Sequence, residues 1–136
     1  MKVFVSGKIG TEQHPERLMR QLEAAGHTIT FDWTTIDHLR PYEKNGPASA
    51  KAATLELAGV AAADVLIVLS HERGAGMFVE LGAALALGKP VVLVERPPSR
   101  TMFSFHPLVR RVSSVNEVLP ELRRLSAAHC RSDTES

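Results

Sequence analysis

The sequence has little of what marks a secreted, membrane-spanning or disulfide-rich protein. Its 136 residues include a single cysteine, Cys130, which excludes an internal disulfide and favours a reducing, cytoplasmic location. No apolar run approaches the ~20 residues of a membrane span, and residues 1–5 lead straight into a polar turn, which is not typical of a signal peptide. These absences indicate one cytoplasmic domain of ordinary size.

An excess of charge of one sign is also missing. Lys and Arg number 16 against 15 Asp and Glu. This balance argues against a nucleic-acid polymer or a membrane as the partner, because both require a local excess of positive charge. The 6 histidines show no metal-ligand spacing. We therefore expect neither a metal nor a cofactor.

What the chain does have is an alternation of short apolar runs with helical patterns. This alternation predicts an α/β fold, a single-domain doubly wound (flavodoxin/Rossmann-like) parallel sheet flanked by helices, over residues 1–126. A disordered C-terminal tail is expected over 127–136. Ligands of such sheets bind at the carboxyl ends of the strands. The predicted strands are 3–5, 28–31, 65–69, 91–94 and 109–112, and the predicted helices are 15–25, 48–62, 76–88 and 115–125.

The most informative stretch is 74–88, in which Glu80 is the only charged or polar side chain. A helix that is apolar all round is expected to be buried, and a buried carboxylate is costly unless it is paired. Glu80 either caps its own helix or pairs with Lys or Arg, or it serves as a nucleophile or general base.

Other candidates have both a structural and a functional interpretation. Gly74 and Gly76 open the 76–88 helix and permit a phosphate to approach the backbone, although Gly-x-Gly alone is weak evidence. The segment 6–10 is either a plain turn or an anion site. Glu56 lies beside small residues and points either into a cleft or to solvent. Trp33 either stacks on a base or is simply packed.

These residues, in this order, resemble the nucleoside 2-deoxyribosyltransferase superfamily, which includes the 2′-deoxynucleoside 5′-monophosphate N-glycosidases. The resemblance runs from Val3 to about Ser104. It rests on Ser-Gly-Lys-Ile-Gly at 6–10, Ala-Asp-Val at 63–65, the Gly-rich turn, and Glu-Leu-Gly at 80–82 continuing to Gly-Lys-Pro at 88–90.

The resemblance implies that Glu80 attacks the anomeric carbon and forms a glycosyl-enzyme ester, after which water or a second base takes the sugar. It places Glu56 where the family has an acidic residue, usually Asp, that helps to protonate or orient the base. It gives Asp64, at a strand start, a structural role.

The chain departs from the family where the 5′ end of the sugar binds. Gly74 stands where the transferases carry Asp and the phosphate-specific hydrolases carry Ser. Lys8 and Gly10 stand where the hydrolases have Ser and Arg, and Phe4 replaces a Tyr that supports the nucleophile. Ser104 matches a serine that reaches the substrate phosphate, typically from a neighbouring subunit.

The expected partner is thus a small-molecule nucleoside or nucleotide, and the expected assembly is a homodimer or a higher homo-oligomer. The residues expected to bind the substrate are Phe4, Gly7, Lys8, Ile9, Gly10, Trp33, Gly74, Gly76, Met77 and Ser104.

Two other functions remain open at this point. The missing Tyr hydroxyl, Ser and Arg favour a non-catalytic nucleotide-binding sensor module that kept the pocket and lost catalysis. A TIR-like NAD glycohydrolase also uses a strand-end glutamate. Release of a free base separates an enzyme from a sensor, and release of nicotinamide from NAD identifies the glycohydrolase.

Overall fold

Five parallel strands form one sheet in the order β2-β1-β3-β4-β5. The structure, a computed structural model, describes residues 1–135, and Ser136 lies outside the described residues. The strands are β1 (Lys2–Ser6), β2 (Thr28–Ile29), β3 (Val65–Leu69), β4 (Val91–Val94) and β5 (Val109–Val112); the α-helices are α1 (Pro15–Ala24), α2 (Gly46–Ala62), α3 (Gly76–Ala86) and α4 (Val118–Glu135). The predicted doubly wound parallel sheet is confirmed.

The strand order places the point of reversal between β1 and β3. Val3 pairs with Val65, and Leu66 pairs with Val91 on the other side of β3. In doubly wound sheets a ligand binds at the carboxyl ends of the strands on either side of this reversal. A ligand site is therefore expected among the residues that follow β1 and β3.

Alternation along β1 sends its side chains to two different cores. Val3 and Val5 join the core beneath α1 and α4, whereas Phe4 joins the core beneath α2 and α3. Because successive side chains point to opposite faces, Ser6 shares the face of Phe4. β3 has no such polar position, since all five of its residues are buried, as its continuous apolar run predicts.

Two connecting segments have more structure than the sequence predicts. Residues 33–47, between the predicted strand 28–31 and the predicted helix 48–62, contain short 3₁₀ helices at Trp33–Thr35 and Tyr42–Asn45 and include the start of α2. Pro47 lies in the first turn of α2, where its missing N–H costs nothing. Two further 3₁₀ helices lie at Met102–Phe105 and Val115–Glu117.

The last helix is longer than expected. Residues 127–135 continue α4, where the sequence led us to expect a disordered tail over 127–136. Ala127 and Ala128 favour a helix, and Leu122 anchors α4 in the core beneath the sheet. Pro120 falls in the first turn of α4, where it interrupts no hydrogen bond within the helix.

The expectation that α3 is buried all round is wrong. Its stripe of Met77, Glu80, Leu81 and Ala84 is buried, but Val79 on the opposite side is 58% exposed. A helix that lies on one face of a sheet can bury only the stripe that faces the sheet. Over residues 1–135, no helix has both the length and the apolar character needed to cross a membrane.

Candidate active site

Glu80 lies on the buried stripe of α3, in a position that an apolar side chain would normally occupy. Spacings of three and four residues put it in line with Met77 and Ala84, facing the sheet. Its residue is only 8% exposed. Ser6, the last residue of β1, faces the same side, and its hydroxyl donates to Glu80 Oε1 over 3.4 Å.

The surroundings of Glu80 favour its protonated form. Burial, together with the nearby charge of Glu56, raises the pKa of Glu80 from 4.5 to about 8, although the Ser6 hydroxyl opposes this shift. Oε2 of Glu80 is buried and has no hydrogen-bond partner. Burying an oxygen without a hydrogen bond lowers the stability of the fold. Its lone pairs are available to contact a ligand that enters the site. A carboxyl kept in this state is typical of a functional position.

Glu56 reaches the same region from α2. It is half-buried, one helical turn before the buried Gly59 and Val60, so it lies on the side of α2 that faces the sheet. Burial raises its pKa as well. The charge of Glu56 acts on Glu80. The sequence left its orientation open between cleft and solvent, and the structure turns it toward the cleft.

Close packing of α2 against the sheet depends on Gly59. A Cβ atom at this position would lie 2.9 Å from the ring of Phe4 and 2.9 Å from Cβ of Phe31. No side chain fits in that space, so Gly59 sets the distance between the helix and β1. Phe4 itself is 0% exposed, so it forms the floor beneath the site and is not itself accessible.

Trp33 packs against the end of β1. Its indole N–H donates to the Val5 carbonyl over 2.6 Å, and the ring is half-buried. Of the two interpretations that the sequence allowed, packing accounts for the indole N–H. Val5 directly precedes Ser6, so Trp33 packs at the same strand end from which Ser6 reaches Glu80.

The start of α3 presents backbone rather than side chains. A Cβ atom at Gly76 would lie 3.7 Å from Glu80 Oε1. Gly74 has a φ of +84°, in the left-handed region that favours glycine. A Cβ there would meet His71 Cε1 at 3.4 Å and Arg40 Nη2 at 4.0 Å. Gly76 thus lies next to Glu80, and Gly74 lies next to a histidine and an arginine.

A cavity of about 930 Å³ lies at the carboxyl edge of the sheet. Lys8, Ile9 and Gly10 line it from the loop after β1, and His71 and Arg100 line it from the loops after β3 and β4. Glu80 and Glu56 are not part of its lining. Lys8, Ile9 and Gly10 are thus brought to the cavity, and the two glutamates to the cleft between β1, α2 and α3.

The remaining predicted residues lie elsewhere or are covered. Ser104 is 0% exposed, and its hydroxyl donates to Glu95 Oε2 over 3.4 Å, so it does not face an opening of its own chain. Met77 is 3% exposed and belongs to the core beneath α2 and α3. A Cβ atom at Gly7 would lie 3.3 Å from Cβ of Leu69, so the loop after β1 packs tightly on β3. Asp64 accepts the N–H of Lys2 at 2.8 Å, which is a structural contact.

Of three further residues of this region, sequence analysis included Ser6 only within the segment 6–10 and did not name Arg40 or Arg100. Ser6 was readable from the alternation along β1, which puts it on the face of Phe4. Arg40 and Arg100 gave no local signal. Arg40 comes from the connection before α2 and Arg100 from the loop after β4, and only the folded chain brings them to the start of α3.

Comparison with known proteins adds to this geometry. A family model described as nucleoside 2-deoxyribosyltransferase matches residues 4–118. The CMP N-glycosidase BcmB of Clostridium botulinum aligns with a TM-score of 0.60 and 19% identity, over 90% of this chain and 99% of that chain. A 2-deoxyribosyltransferase of the psychrotolerant bacterium Bacillus psychrosaccharolyticus aligns with a TM-score of 0.61 and 19% identity, over 87% of this chain and 90% of that chain. No curated protein sequence matches.

Proposed function

The chain belongs to the nucleoside 2-deoxyribosyltransferase family, and on that premise we propose that it cleaves the N-glycosidic bond of a nucleoside or nucleoside 5′-monophosphate with Glu80 as the nucleophile. It is an enzyme of N-glycosidase or deoxyribosyltransferase chemistry. The observation that carries the nucleophile is Glu80 itself, a carboxyl that is 8% exposed on an otherwise apolar stripe and has one oxygen without a hydrogen bond.

In the first step a Glu80 oxygen forms a bond to the anomeric carbon of the sugar while the bond from that carbon to the base nitrogen breaks. The electron pair of the broken bond leaves with the base. Positive charge develops on the sugar ring during this step, as at other glycosidic bonds. An ionised Glu80 in a poorly solvated cleft stabilises that charge strongly, because no water screens the attraction.

Glu56 assists the departure of the base. Burial raises its pKa, which favours the protonated carboxyl that an acid needs, and it lies on the helix that faces Glu80. We assign to it the transfer of that proton to the leaving base, or a hydrogen bond that orients the base. Glu is one methylene longer than the Asp usual in the family, so the carboxyl of Glu56 extends further from α2 into the cleft.

In the second step water or a second base attacks the anomeric carbon. The sugar–Glu80 ester bond breaks, its electron pair returns to the Glu80 carboxylate, and the attacking group gives up a proton to Glu56 or to solvent. Water gives the free sugar, and a base gives a new nucleoside. The Ser6 hydroxyl, 3.4 Å from Oε1, stabilises the carboxylate that is regenerated.

A second copy of the chain is part of this proposal. Large apolar side chains lie exposed on α2, on α3 and on the 3₁₀ helix that carries Ser104, and a surface of this kind favours a homodimer or higher homo-oligomer. Sedimentation at assay concentration is expected to give an oligomer. A monomer with full activity would contradict this assembly. The exposed residues are Leu55, Leu57, Val79, Met102, Phe103 and Phe105.

The experiment is base release from a panel of nucleosides, nucleoside monophosphates and NAD, followed by chromatography. Glu80→Gln is expected to lower kcat by about 1,000-fold or more, since removal of a nucleophile leaves only the contribution of binding. The matched control is Glu23→Gln, which makes the same change at an exposed carboxylate of α1 that pairs with Arg20.

A covalent intermediate gives a second readout. Acid quench during turnover is expected to leave one sugar unit on the peptide that contains Glu80, detected by mass spectrometry. Turnover of Glu80→Gln at the rate of the parent protein would overturn the mechanism. Saturable nucleotide binding without release of any base would favour the sensor module, and release of nicotinamide alone would favour an NAD glycohydrolase.

A further inference from the structure

Glu95, the first residue after β4, is a buried carboxyl that the proposed chemistry does not use. It is 7% exposed, and within residues 1–135 only Glu80 is also both charged and buried. Each of the two carboxyls accepts the hydroxyl of a buried serine over 3.4 Å, and each has its other oxygen buried without a hydrogen bond. For Glu95 that serine is Ser104. Burying a carboxylate is costly unless it is paired, so Glu95 needs a partner.

The partner of Glu95 is Arg111 of β5. Leu93 belongs to the core beneath α2 and α3, and because side chains alternate along a strand, Glu95 faces the same side. Arg111 Nε lies 3.9 Å from Glu95 Oε1. The Glu95 side chain is only 4% exposed, which leaves little of it for a ligand to contact. Its contacts are with other parts of the chain, and they are therefore where its role is to be found.

Arg111 contacts the segment between β4 and β5, residues 95–108, near both of its ends. Its Nη2 donates to Ser99 Oγ over 3.0 Å, and its guanidinium lies 4.4 Å from the centre of the Phe105 ring. Ser104, next to Phe105, donates to Glu95. Glu95 and Arg111 thus fix both halves of this segment to the ends of two paired strands.

The same segment reaches the active site through Arg100, which directly follows Ser99. The Arg100 guanidinium donates to the His71 carbonyl, in the loop after β3, and lies 5.2 Å from the centre of the Phe78 ring. Phe78 is in the first turn of α3, two residues before Glu80. Arg100 therefore joins the loop after β3 to the start of the helix that carries Glu80.

Glu95 selects one of the conformations that are open to Arg111. The Arg111 side chain is 33% exposed, so without an anchor it is free to turn toward solvent, and a long side chain gains conformational entropy when it does so. Turning it away breaks the hydrogen bond to Ser99. Because Glu95 is buried and cannot follow, the ion pair keeps the guanidinium over residues 99–105.

We propose that Glu95 is a positioning residue for Glu80. It acts through Arg111, which holds Ser99, and the adjacent Arg100 then holds the start of α3. The proposal rests on the proposed function, because it takes Glu80 as the nucleophile whose position matters. Displacing a reacting group by about 1 Å can lower a rate by about 100-fold, so a small movement of α3 is enough to be measured.

The neighbouring ion pair of β5 supplies the matched control. Arg110 points to the opposite face of the sheet and pairs with Glu121 of α4 over 3.1 Å. The Glu121 side chain is 13% exposed, so it is also a largely covered carboxylate paired with an arginine of the same strand. This pair joins β5 to α4, on the face away from Glu80. Glu121→Gln therefore makes the same chemical change as Glu95→Gln without affecting the segment that carries Arg100.

The first measurement does not depend on turnover. Amide hydrogen exchange of the segment 71–81, read by mass spectrometry, reports how firmly the start of α3 is held. Glu95→Gln keeps the size of the side chain and an acceptor for Ser104, and it is expected to speed this exchange by about threefold to tenfold. Glu121→Gln is expected to leave the exchange unchanged. Ser99→Ala removes one hydroxyl and is expected to act in the same direction, which keeps the test available if Glu95→Gln folds poorly.

The second measurement is kcat for base release, with the nucleoside, nucleoside monophosphate or NAD from which the parent protein releases base fastest. Glu95→Gln and Arg100→Gln are each expected to lower kcat per folded molecule by about tenfold. If Glu95 acts through Arg100, adding Glu95→Gln to Arg100→Gln lowers kcat no further. A merely structural role for Glu95 would lower stability and leave kcat per folded molecule unchanged.

Unchanged exchange of 71–81 in both Glu95→Gln and Ser99→Ala would overturn the proposal, as would losses of kcat that multiply in the double variant. Hydrogen exchange keeps these outcomes separate from the proposed function. If the parent protein releases no base but both variants speed the exchange, Glu95 positions the start of α3 and the glycosidase is wrong. If base release depends on Glu80 and the exchange does not change, the function stands and the positioning role is wrong.

Discussion

The two faces of the sheet differ in whether the helices that pack on them bury a charged side chain. The face beneath α1 and α4 is covered by thirteen buried residues, all apolar, among them Val3, Ile67 and Leu122. The face beneath α2 and α3 has a similar apolar core around Phe4 and Leu66, but the stripe of α3 that packs on it includes Glu80. The first face supplies stability. The second face is less stabilising, because it holds the carboxyl of Glu80 in a poorly solvated cleft.

The largest effect expected from this comparison is a loss of stability on both faces with a loss of activity on only one. Leu22→Ala beneath α1 and Leu81→Ala on α3 each remove a buried side chain, 0% and 3% exposed, and each is expected to lower the free energy of unfolding. The decrease should be about 2–5 kcal/mol. Urea denaturation measures it.

Turnover separates the two variants. Leu81 neighbours Glu80, so Leu81→Ala is expected to lower kcat per folded molecule, whereas Leu22→Ala leaves kcat unchanged. An equal loss of kcat in both would mean that the site depends on the whole core, and the contrast between the faces would be lost.

The cost of Glu80 gives the second prediction. Its pKa in the folded chain is raised from 4.5 to about 8, so its contribution to stability is fully present below pH 4.5 and is lost as the pH rises to about 8. Gln at this position does not titrate. Glu80→Gln is thus expected to be the more stable protein above pH 8, by on the order of a few kcal/mol, and close to the parent in acid.

Thermal unfolding across this pH range measures the difference between the two proteins. Glu23→Gln serves again as the control and is expected to leave the pH dependence of stability as it is. A Glu80→Gln protein that is less stable than the parent at high pH would mean that the ionised carboxylate has a partner, and that the second face carries no such cost.

The third prediction concerns the pair of glutamates. For the parent, kcat/KM is expected to rise with pH through about 8, as Glu80 of the free enzyme ionises. Glu56→Gln is expected to lower kcat by about 100-fold through loss of the carboxyl that assists or orients the departing base. It should also move the midpoint of the pH profile to lower pH, because the charge of Glu56 raises the pKa of Glu80. A lower kcat with an unmoved midpoint would place Glu56 too far away to act on Glu80.

The smallest effect is expected at Ser6. Its hydroxyl lowers the pKa of Glu80, so Ser6→Ala should move the midpoint of the same profile to higher pH, opposite to Glu56→Gln. The loss of one hydrogen bond is expected to lower kcat/KM by about threefold to tenfold near neutral pH. Ser6→Thr keeps the hydroxyl and is the control that should restore the midpoint. No movement in Ser6→Ala would remove Ser6 from the site.

How much of this the sequence predicts depends on how local each feature is. β3 and α3 can be predicted from the sequence because their apolar runs are continuous. Glu80 can be singled out because no other residue of 74–88 is charged. The sequence does not predict that only one side of α3 is buried, because this depends on which helices flank α3. Ser104 was expected to reach a substrate phosphate, but its partner Glu95 comes from the loop after β4, and sequence alone does not reveal that contact.

Arg40 shows more clearly that contacts between distant segments cannot be predicted from the sequence. Arg40 is separated from Gly74 by the whole of α2 and β3, and no periodicity connects the two. Residues 127–135 show the reverse case, because polar composition suggested disorder while two alanines and a preceding anchored turn let α4 continue.

The pairing of β1 with β3 also has a consequence for how the enzyme comes into being. The Lys2 N–H meets Asp64 sixty-two positions along the chain, and β1 carries Ser6 while Glu80 comes only after β3. Closing so long a loop is slow and is not rewarded until the strands align. A nascent chain that has folded α1 and β2 onto β1 therefore does not yet have Glu80 beside Ser6. Recovery of base release after dilution from urea will report the joining of β1 to β3, and it will lag behind the recovery of helical signal.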